Sequence, residues 1–287
     1  MPISVITGAT SGIGRWIASG LAGAGHHLVI IARDPQRGHA ALQWITTQVP
    51  AAQAELLTAD LSSLAATRQA AAQITERFPA IDVLVNNAGV FRTSRQQTAE
   101  HHEHVIAVNH LSPFVLTRAL IPALRAAAEK APIAAPNTST GARIVNVGSS
   151  TADRARIDPT DLEGIRRWGM VHTYSQSKLA LTMATIGWAR RLQDTGVTAN
   201  VVHPGMVATG LIRAGGPIGL AWRAMAPFLL TEQQGADTPL HVALSPEFRA
   251  ITGAYVKQRR VVPPNRRVLN GALMDQVWRA TEALTET

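Results

Sequence analysis

The segment HTYSQSKLALTM places Tyr174 and Lys178 four residues apart in a helix-like stretch. Residues at that spacing are neighbours on one helix face. A phenol and an ammonium both titrate near pH 10 in free peptides, so neither is an effective acid or base at pH 7 alone. Held together they can be: nearby positive charge favours the phenolate and draws the tyrosine pKa down towards the working pH. Proton transfer to or from a carbonyl or alcohol oxygen is the chemistry such a pair offers. An exposed helix pair with no chemical role has the same spacing and is worth only about 0.2–0.5 kcal/mol. What else the chain brings to the pair therefore decides the reading.

A glycine-rich run, TGATSGIG, covers Thr7 to Gly14 directly after the first apolar segment. Gly8 permits a tight turn, Gly12 lets the backbone approach a pyrophosphate, and Gly14 allows close packing of the helix that follows. The N–H groups of that helix start would face the phosphates. Ser11 and Ile13, within the same loop, join the expected cofactor contacts. The second strand ends in IIARDP. Ala32 stands where a carboxylate would bond the ribose 2′-OH of NAD, and Arg33 follows, whose guanidinium suits a 2′-phosphate. NADP(H) is the expected cofactor, with Arg15 and Arg37 adding positive field. Two readings stay open: Asp34 serves as the NAD carboxylate, or Arg33 and Asp34 merely close a turn.

The elements that position these residues alternate along the chain. ISVIT, HLVIIA, AELLTAD, DVLVNNAG, RIVNVGSS and TANVVHPG read as strands. Ile13–Ala24, Gly38–Thr47, Leu64–Glu76, Thr98–Ala128 and Tyr174–Asp194 read as helices. Near-continuous apolar strands between helices predict an α/β fold: a Rossmann-type, doubly wound parallel sheet with helices on both faces. KAPIAAPNTSTGA reads as a surface loop. Nothing resembles an interdomain linker, so residues 1–287 are expected to form a single domain.

A hydrophobic fraction of 46% against 16% charged fits a folded globular chain. The absence of cysteine excludes disulfides, thiolate catalysis and cysteine-based zinc sites. No uninterrupted apolar run approaches the ~18 residues of a spanning helix, and the N-terminus enters a strand without a basic leader. No membrane span and a cytoplasmic location are expected. The net charge of +8 is spread widely; its densest group, KQRRVVPPNRR from Lys257 to Arg267, has no interleaved aromatics, so a solvated surface is expected rather than a nucleic-acid groove.

In order, TGATSGIG, Asp60-Leu61, NNAG at Asn86–Gly89, Asn109, VGSS, YSQSK and HPG at His203–Gly205 resemble the short-chain dehydrogenase/reductase superfamily over nearly the whole chain. VNHLSPFVLT, TYSQSKLA, GVTANVVHPGMVATGL and TGAYV, with the long Ser150–Tyr174 stretch containing RARIDPTDLEG, resemble its retinol-dehydrogenase-like branch. That branch favours NADP(H). The resemblance implies an NADP-dependent oxidoreductase (EC 1.1.1.- type) and assigns roles by position. Asp60 and Leu61 would lie against the adenine. Asn87, Ala88 and Gly89 would line the adenosine ribose, while Asn86 braces strands. Pro204, Gly205, Val207 and Thr209 would surround the nicotinamide. Tyr174 would be the general acid/base and Ser150, chosen over Ser149 from the SS pair, would stabilise the carbonyl oxygen. Lys178 would tune Tyr174 and bond the nicotinamide ribose, and Asn109 would bend its helix and hold a proton-relay water. Vertebrate members of the branch are usually membrane-anchored, so the missing anchor argues against retinol as substrate, and the missing cysteine argues against a light-dependent protochlorophyllide reductase.

After HPG, an apolar lid is expected at about 206–230. Met206, Leu211, Trp222, Met225 and Phe228 are the candidate substrate contacts, with Ile212, Leu220 and Leu229 beside them and Gly215, Gly216 and Gly219 as hinges. Such a lid suits a bulky apolar ketone, aldehyde, quinone or alcohol; a packed amphipathic helix would carry the same residues. HHEH at His101–His104 offers a metal reading, set aside because neighbours along a helix point apart. His110 and His172 stand near the catalytic positions, as substrate contacts or as packed structural residues. Two alternatives remain: a sensor or scaffold that binds nucleotide without turnover, against which the four catalytic-type residues argue, and a nucleic-acid binder, resting on charge alone. A homo-oligomer is compatible with the sequence.

Overall fold

The computed structural model describes residues 1–130, 141–207 and 229–286. The strands are β1 (Ile3–Thr7), β2 (His27–Ala32), β3 (Ala54–Thr58), β4 (Val83–Asn86), β5 (Ala142–Val147), β6 (Val197–His203), β7 (Tyr255–Lys257) and β8 (Arg260–Val262). They form one sheet in the order β3-β2-β1-β4-β5-β6-β7-β8. Every pairing from β3 to β7 is parallel, and β8 alone runs antiparallel. The order reverses at β1, between β2 and β4. In doubly wound sheets this switch point opens a crevice at the carboxyl ends of the strands.

The helices are α1 (Gly12–Gly23), α2 (Pro35–Gln48), α3 (Leu64–Arg77), α4 (His104–Lys130), α5 (Met170–Arg191), α6 (Glu232–Leu244) and α7 (Gly271–Thr285). Side chains of α1, α2 and α6 fill one face of the sheet, with Ile6, Ile30 and Val85 at its centre. The other face is covered by α3, α4, α5 and α7, where Phe114, Trp188 and Trp278 meet with ring centroids 4.8–5.1 Å apart. Burying one such large apolar side chain contributes about 1.5–3 kcal/mol, so both faces are fixed by many independent contacts.

Three elements differ from expectation. α2 starts at Pro35 rather than Gly38, because Asp34 caps it: its Oδ1 accepts from the N–H groups of Gln36 (2.9 Å) and Arg37 (3.2 Å). α4 starts at His104 rather than near Thr98. His101 sits at φ 64°, and Glu103 caps the helix through the N–H groups of Val105 and Ile106. The basic segment after Lys257 holds the β7–β8 hairpin, whose turn residues Gln258 and Arg259 have φ of 48° and 61°. That turn lacks the Asn-Gly or Asp-Gly signal from which hairpins are read.

By length and composition α4 is apolar enough to cross a membrane, and it is the one such helix among the described residues. In the fold, 78% of its apolar window is buried, which is the position of a core helix. Thr209, Leu211, Trp222, Met225 and Phe228 lie outside the described residues, as do Ile212, Leu220 and the three glycines Gly215, Gly216 and Gly219.

Candidate active site

The carboxyl ends of β1, β2, β3, β4, β5 and β6 each deliver one predicted group to the same edge of the sheet. After β1 the loop turns through Gly8 (φ 70°) and Gly12 (φ 64°), a backbone that side chains resist. A Cβ at Gly8 would lie 2.8 Å from Ala88 Cα, and one at Gly14 would lie 2.2 Å from the Gly8 carbonyl oxygen. Ser11 is the N-cap residue of α1 but makes no side-chain cap bond. The first N–H groups of the helix therefore remain for an anion. This cradle fits a dinucleotide pyrophosphate. Ile13 and Val207 pack around Gly235 of α6, where a Cβ would meet Val207 at 2.6 Å and Ile13 at 3.1 Å.

Asn87 braces this loop with its side chain. Its Nδ2 donates to the carbonyls of Thr7 and Gly8, each at 3.1 Å. Thr7 Oγ1 accepts from the N–H groups of Asn87 (3.1 Å) and Ala88 (3.0 Å). The Asn87 Nδ2 is therefore engaged in bracing the glycine loop. Asn86 braces strands as expected, donating to Asn146 Oδ1 (2.8 Å) and Thr117 Oγ1 (3.2 Å).

At the end of β2, Arg33 is exposed and makes no hydrogen bond or ion pair among the described residues. Asp34 is committed to capping α2. Arg15 lies over the Trp44 ring at 4.3 Å and faces Glu232 at 3.7 Å, so it is drawn into the α1–α2 surface. After β3, Asp60 Oδ1 accepts from Ser62 N–H and Oγ, each at 2.9 Å, and Leu61 is half-buried against the core. After β6, Pro204 and Gly205 turn the chain, and a Cβ at Gly205 would lie 2.4 Å from Leu230. Met206 is 51% exposed, and its carbonyl accepts from Leu230 N–H at 2.8 Å.

Tyr174 and Lys178 are both buried on α5. Lys178 Nζ donates to the Val147 carbonyl at the end of β5 (2.9 Å), and burial lowers its pKa to about 8. A Cβ at Gly89 would lie 3.3 Å from Lys178 Nζ and 3.5 Å from Asn109 Oδ1, so these three residues converge. Burial raises the Tyr174 pKa, against a lowering hydrogen bond from the Ser149 side chain. In the protein alone, desolvation therefore dominates the Tyr174 phenol.

Ser149, not Ser150, is the serine that meets the phenol. Ser149 leaves β5 with extended backbone (φ −155°, ψ 148°) and caps a 3₁₀ turn, Ser150–Arg154. Ser150 is already inside that turn, and its hydroxyl bonds no described residue. The identical residues of the SS pair differ only in backbone geometry.

Asn109 lies in a π-helical turn, Ala107–Leu111, within α4. Its Oδ1 accepts from Val90 N–H (2.8 Å), and its Nδ2 donates to Val90 O and Ser177 Oγ, each at 3.0 Å. π-turns inside α-helices often mark functional sites, and this one ties α4, the loop after β4 and α5 together. Phe91, which the sequence reading passed over, meets Tyr174 edge-on with centroids 5.2 Å apart. Its place two residues after NNAG, at the carboxyl end of β4, is the signal that could have found it.

His110 is fully buried: its Nε2 pairs with Thr281 Oγ1 at 2.7 Å, and burial lowers its pKa to about 3. It joins α4 to α7 as a packed structural residue. His172 is half-buried, six residues before Lys178 on α5. His102 Nδ1 pairs with Glu163 at 3.0 Å, and no group of three His, Asp or Glu among the described residues is arranged to hold a metal.

A family model described as short chain dehydrogenase matches residues 2–215. The chain is 34% identical to retinol dehydrogenase 12 of Homo sapiens over 276 residues, covering 96% of this chain and 84% of that protein. It is 32% identical to polyprenol dehydrogenase of Mus musculus over 280 residues, covering 96% and 81%. A solved short chain dehydrogenase from Burkholderia cenocepacia J2315 in complex with NADP aligns with a TM-score of 0.69 at 28% identity, covering 89% of this chain and 95% of that one.

Proposed function

From the premise that the chain belongs to the short-chain dehydrogenase/reductase family, in its retinol-dehydrogenase-like branch, we propose that it interconverts a carbonyl and an alcohol with NADP(H). The observation that carries the reading is the convergence of buried Tyr174 and Lys178 with Ser149 and Asn109 at the edge where the glycine loop opens, with Lys178 Nζ held by the Val147 carbonyl at 2.9 Å. NADPH, when bound, supplies the hydride. The protein supplies position, a proton and a polarised oxygen site. Tyr174 Oη gives its proton to the carbonyl oxygen of the substrate and takes it back in the alcohol-to-carbonyl direction. Ser149 Oγ donates to the same oxygen and stabilises its developing charge. Lys178 bonds the nicotinamide ribose and adds positive charge near the phenol. Asn109, whose side chain ties Val90 to Ser177, is the residue assigned to the proton-relay water.

Gly8, Ser11, Gly12, Ile13 and Gly14 hold the pyrophosphate. Asp60 and Leu61 take the adenine, Ala88 and Gly89 the ribose side, and Pro204, Gly205, Val207 and Thr209 the nicotinamide end. The uncommitted Arg33 supports the 2′-phosphate assignment, as does the NADP in the Burkholderia relative. The substrate class is a bulky apolar ketone, aldehyde, quinone or the corresponding alcohol. Met206 and Phe91 border the site, and Leu211, Trp222, Met225 and Phe228, which follow in the chain, are the candidate substrate contacts. The retinol and polyprenol named for two relatives are consistent with this class. The reading includes a cytoplasmic location without a membrane span. NADPH oxidation across a panel of apolar ketones, aldehydes and quinones tests it. Binding of NADPH with no oxidation on any member would favour a silent nucleotide sensor instead.

A further inference from the structure

The Ser149 hydroxyl is held locally by little. It accepts from Thr151 N–H at 3.3 Å and from Thr151 Oγ1 at 3.2 Å, both long contacts within its own exposed turn. The 3₁₀ turn that follows is five residues long, and such turns have weaker hydrogen-bond geometry than an α-helix. Something outside the turn must set where Ser149 points.

That something comes from β7. Tyr255 and Lys257 are two residues apart on one strand, so their side chains share a face. Both reach Asp153 in the turn: Tyr255 Oη donates to Oδ1 at 2.7 Å and Lys257 Nζ to Oδ2 at 2.5 Å. Tyr255 Oη also lies 3.5 Å from the Ser149 carbonyl, and its ring passes under Gly148, where a Cβ would lie 3.9 Å from Cε2. The strand is a fixed reference, because Tyr255 pairs with Val201 and Lys257 with His203 on β6. On the far side of the turn, Asn265 Nδ2 donates to the carbonyls of Ala152 (2.8 Å) and Ala155 (3.0 Å).

The geometry points to Asp153 as a positioning residue for Ser149: a carboxylate gripped by Tyr255 and Lys257 that sets the serine hydroxyl against the Tyr174 phenol. The inference rests on the reading of the site given above. The Asp153 and Lys257 side chains are 31% and 28% exposed, and pairs this accessible add little to global stability. Removing the grip therefore disturbs the serine more than the fold.

The chain has only two tyrosines, Tyr174 and Tyr255, which makes a direct readout available. Carbon-13 at the tyrosine Cζ gives two resonances, assigned with Tyr255→Phe. Ser149→Ala should move the Tyr174 resonance, and Asp153→Ala should move it in the same direction. In steady-state assays with NADPH and the best carbonyl substrate, Asp153→Ala should lower kcat about tenfold and leave NADPH affinity within twofold. In a Ser149→Ala background the same change should cost less than twofold, since the group it acts through is gone. Asp153→Asn, which keeps an acceptor for Tyr255, should recover most of the rate. If Asp153→Ala does not fold, Lys257→Met carries the same two comparisons. A Tyr174 resonance that responds to Ser149→Ala but not to Asp153→Ala overturns the inference, as does an equal rate loss in both backgrounds. An unmutated protein that oxidises no NADPH overturns the function reading instead, and the resonance comparison still decides the placement of Ser149.

Discussion

Tyr174→Phe deletes one oxygen and keeps the ring that meets Phe91 edge-on. α5 should pack unchanged and NADPH should bind with near-normal affinity. Turnover should fall by about 10²–10⁴, the range for a positioned general acid or base; stopped-flow or steady-state rates on a good substrate check this, and a near-normal rate would assign the proton to another residue. The two serines give a sharper contrast. Ser149→Ala removes the hydroxyl that bonds the phenol and should reduce kcat by about 10²–10³, the range for losing one oxyanion donor. Ser150→Ala should leave kcat within a few fold. If Ser150→Ala proves the more damaging, Ser150 is the serine that stabilises the carbonyl oxygen. Arg33→Ala tests the cofactor choice. Losing a charge-assisted contact to phosphate should weaken NADPH binding by about 1.5–3 kcal/mol while leaving NADH nearly untouched, as read by calorimetric titration of both.

α4 and α7 meet at an imidazole that burial keeps neutral. His110 is fully buried, its Nε2 is engaged with Thr281, and its pKa is lowered to about 3 by burial. Between pH 3 and 6.5 the unfolded chain binds a proton at this residue that the folded chain refuses. The folded state is therefore at no disadvantage above 6.5 and loses stability as the pH falls through that window. By pH 5 the loss should be about 2 kcal/mol from this group alone. His203, lowered to about 4 by burial, pulls in the same direction. Urea unfolding at pH 7.5 and pH 5 should show a steeper loss in the unmutated protein than in His110→Gln, which does not titrate. Equal slopes would mean that water reaches the α4–α7 contact.

For the whole molecule, the site and the fold are coupled because α1, α4, α5 and α6 each contribute both to the core and to the cofactor edge. A ligand that binds only the folded state stabilises it by RT ln(1 + [L]/Kd), about 2.7 kcal/mol at one hundred times Kd. NADPH at that saturation should raise the unfolding free energy by this amount and the midpoint with it, and Gly14→Val should abolish the rise. A side chain at that position collides with the Gly8 carbonyl and Asn87. A midpoint that rises equally in Gly14→Val would place the nucleotide elsewhere.

The fold class and most of the edge that carries the site were legible in the sequence, because they rest on local signals. Apolar runs report strands, and Gly8, Gly12 and Gly14 report a turn that only glycine makes easily. Tyr174 and Lys178 report a shared helix face by spacing alone. The roles that were not legible depend on contacts far along the chain. Ser149 and Ser150 are chemically identical neighbours, and only the direction in which the backbone leaves β5 decides which one meets Tyr174. Asn87 also braces the glycine loop 79 residues away through its Nδ2, a contact that the NNAG motif does not report. For His110 the sequence left substrate contact and packed residue open, and it is Thr281, 171 residues on, that bonds its buried ring. The β7–β8 hairpin hid behind a turn without glycine or asparagine, where pairing in the sheet holds Gln258 and Arg259 at positive φ. Local chemistry fixes which elements can form, and long-range packing chooses which side chain of each element faces the site.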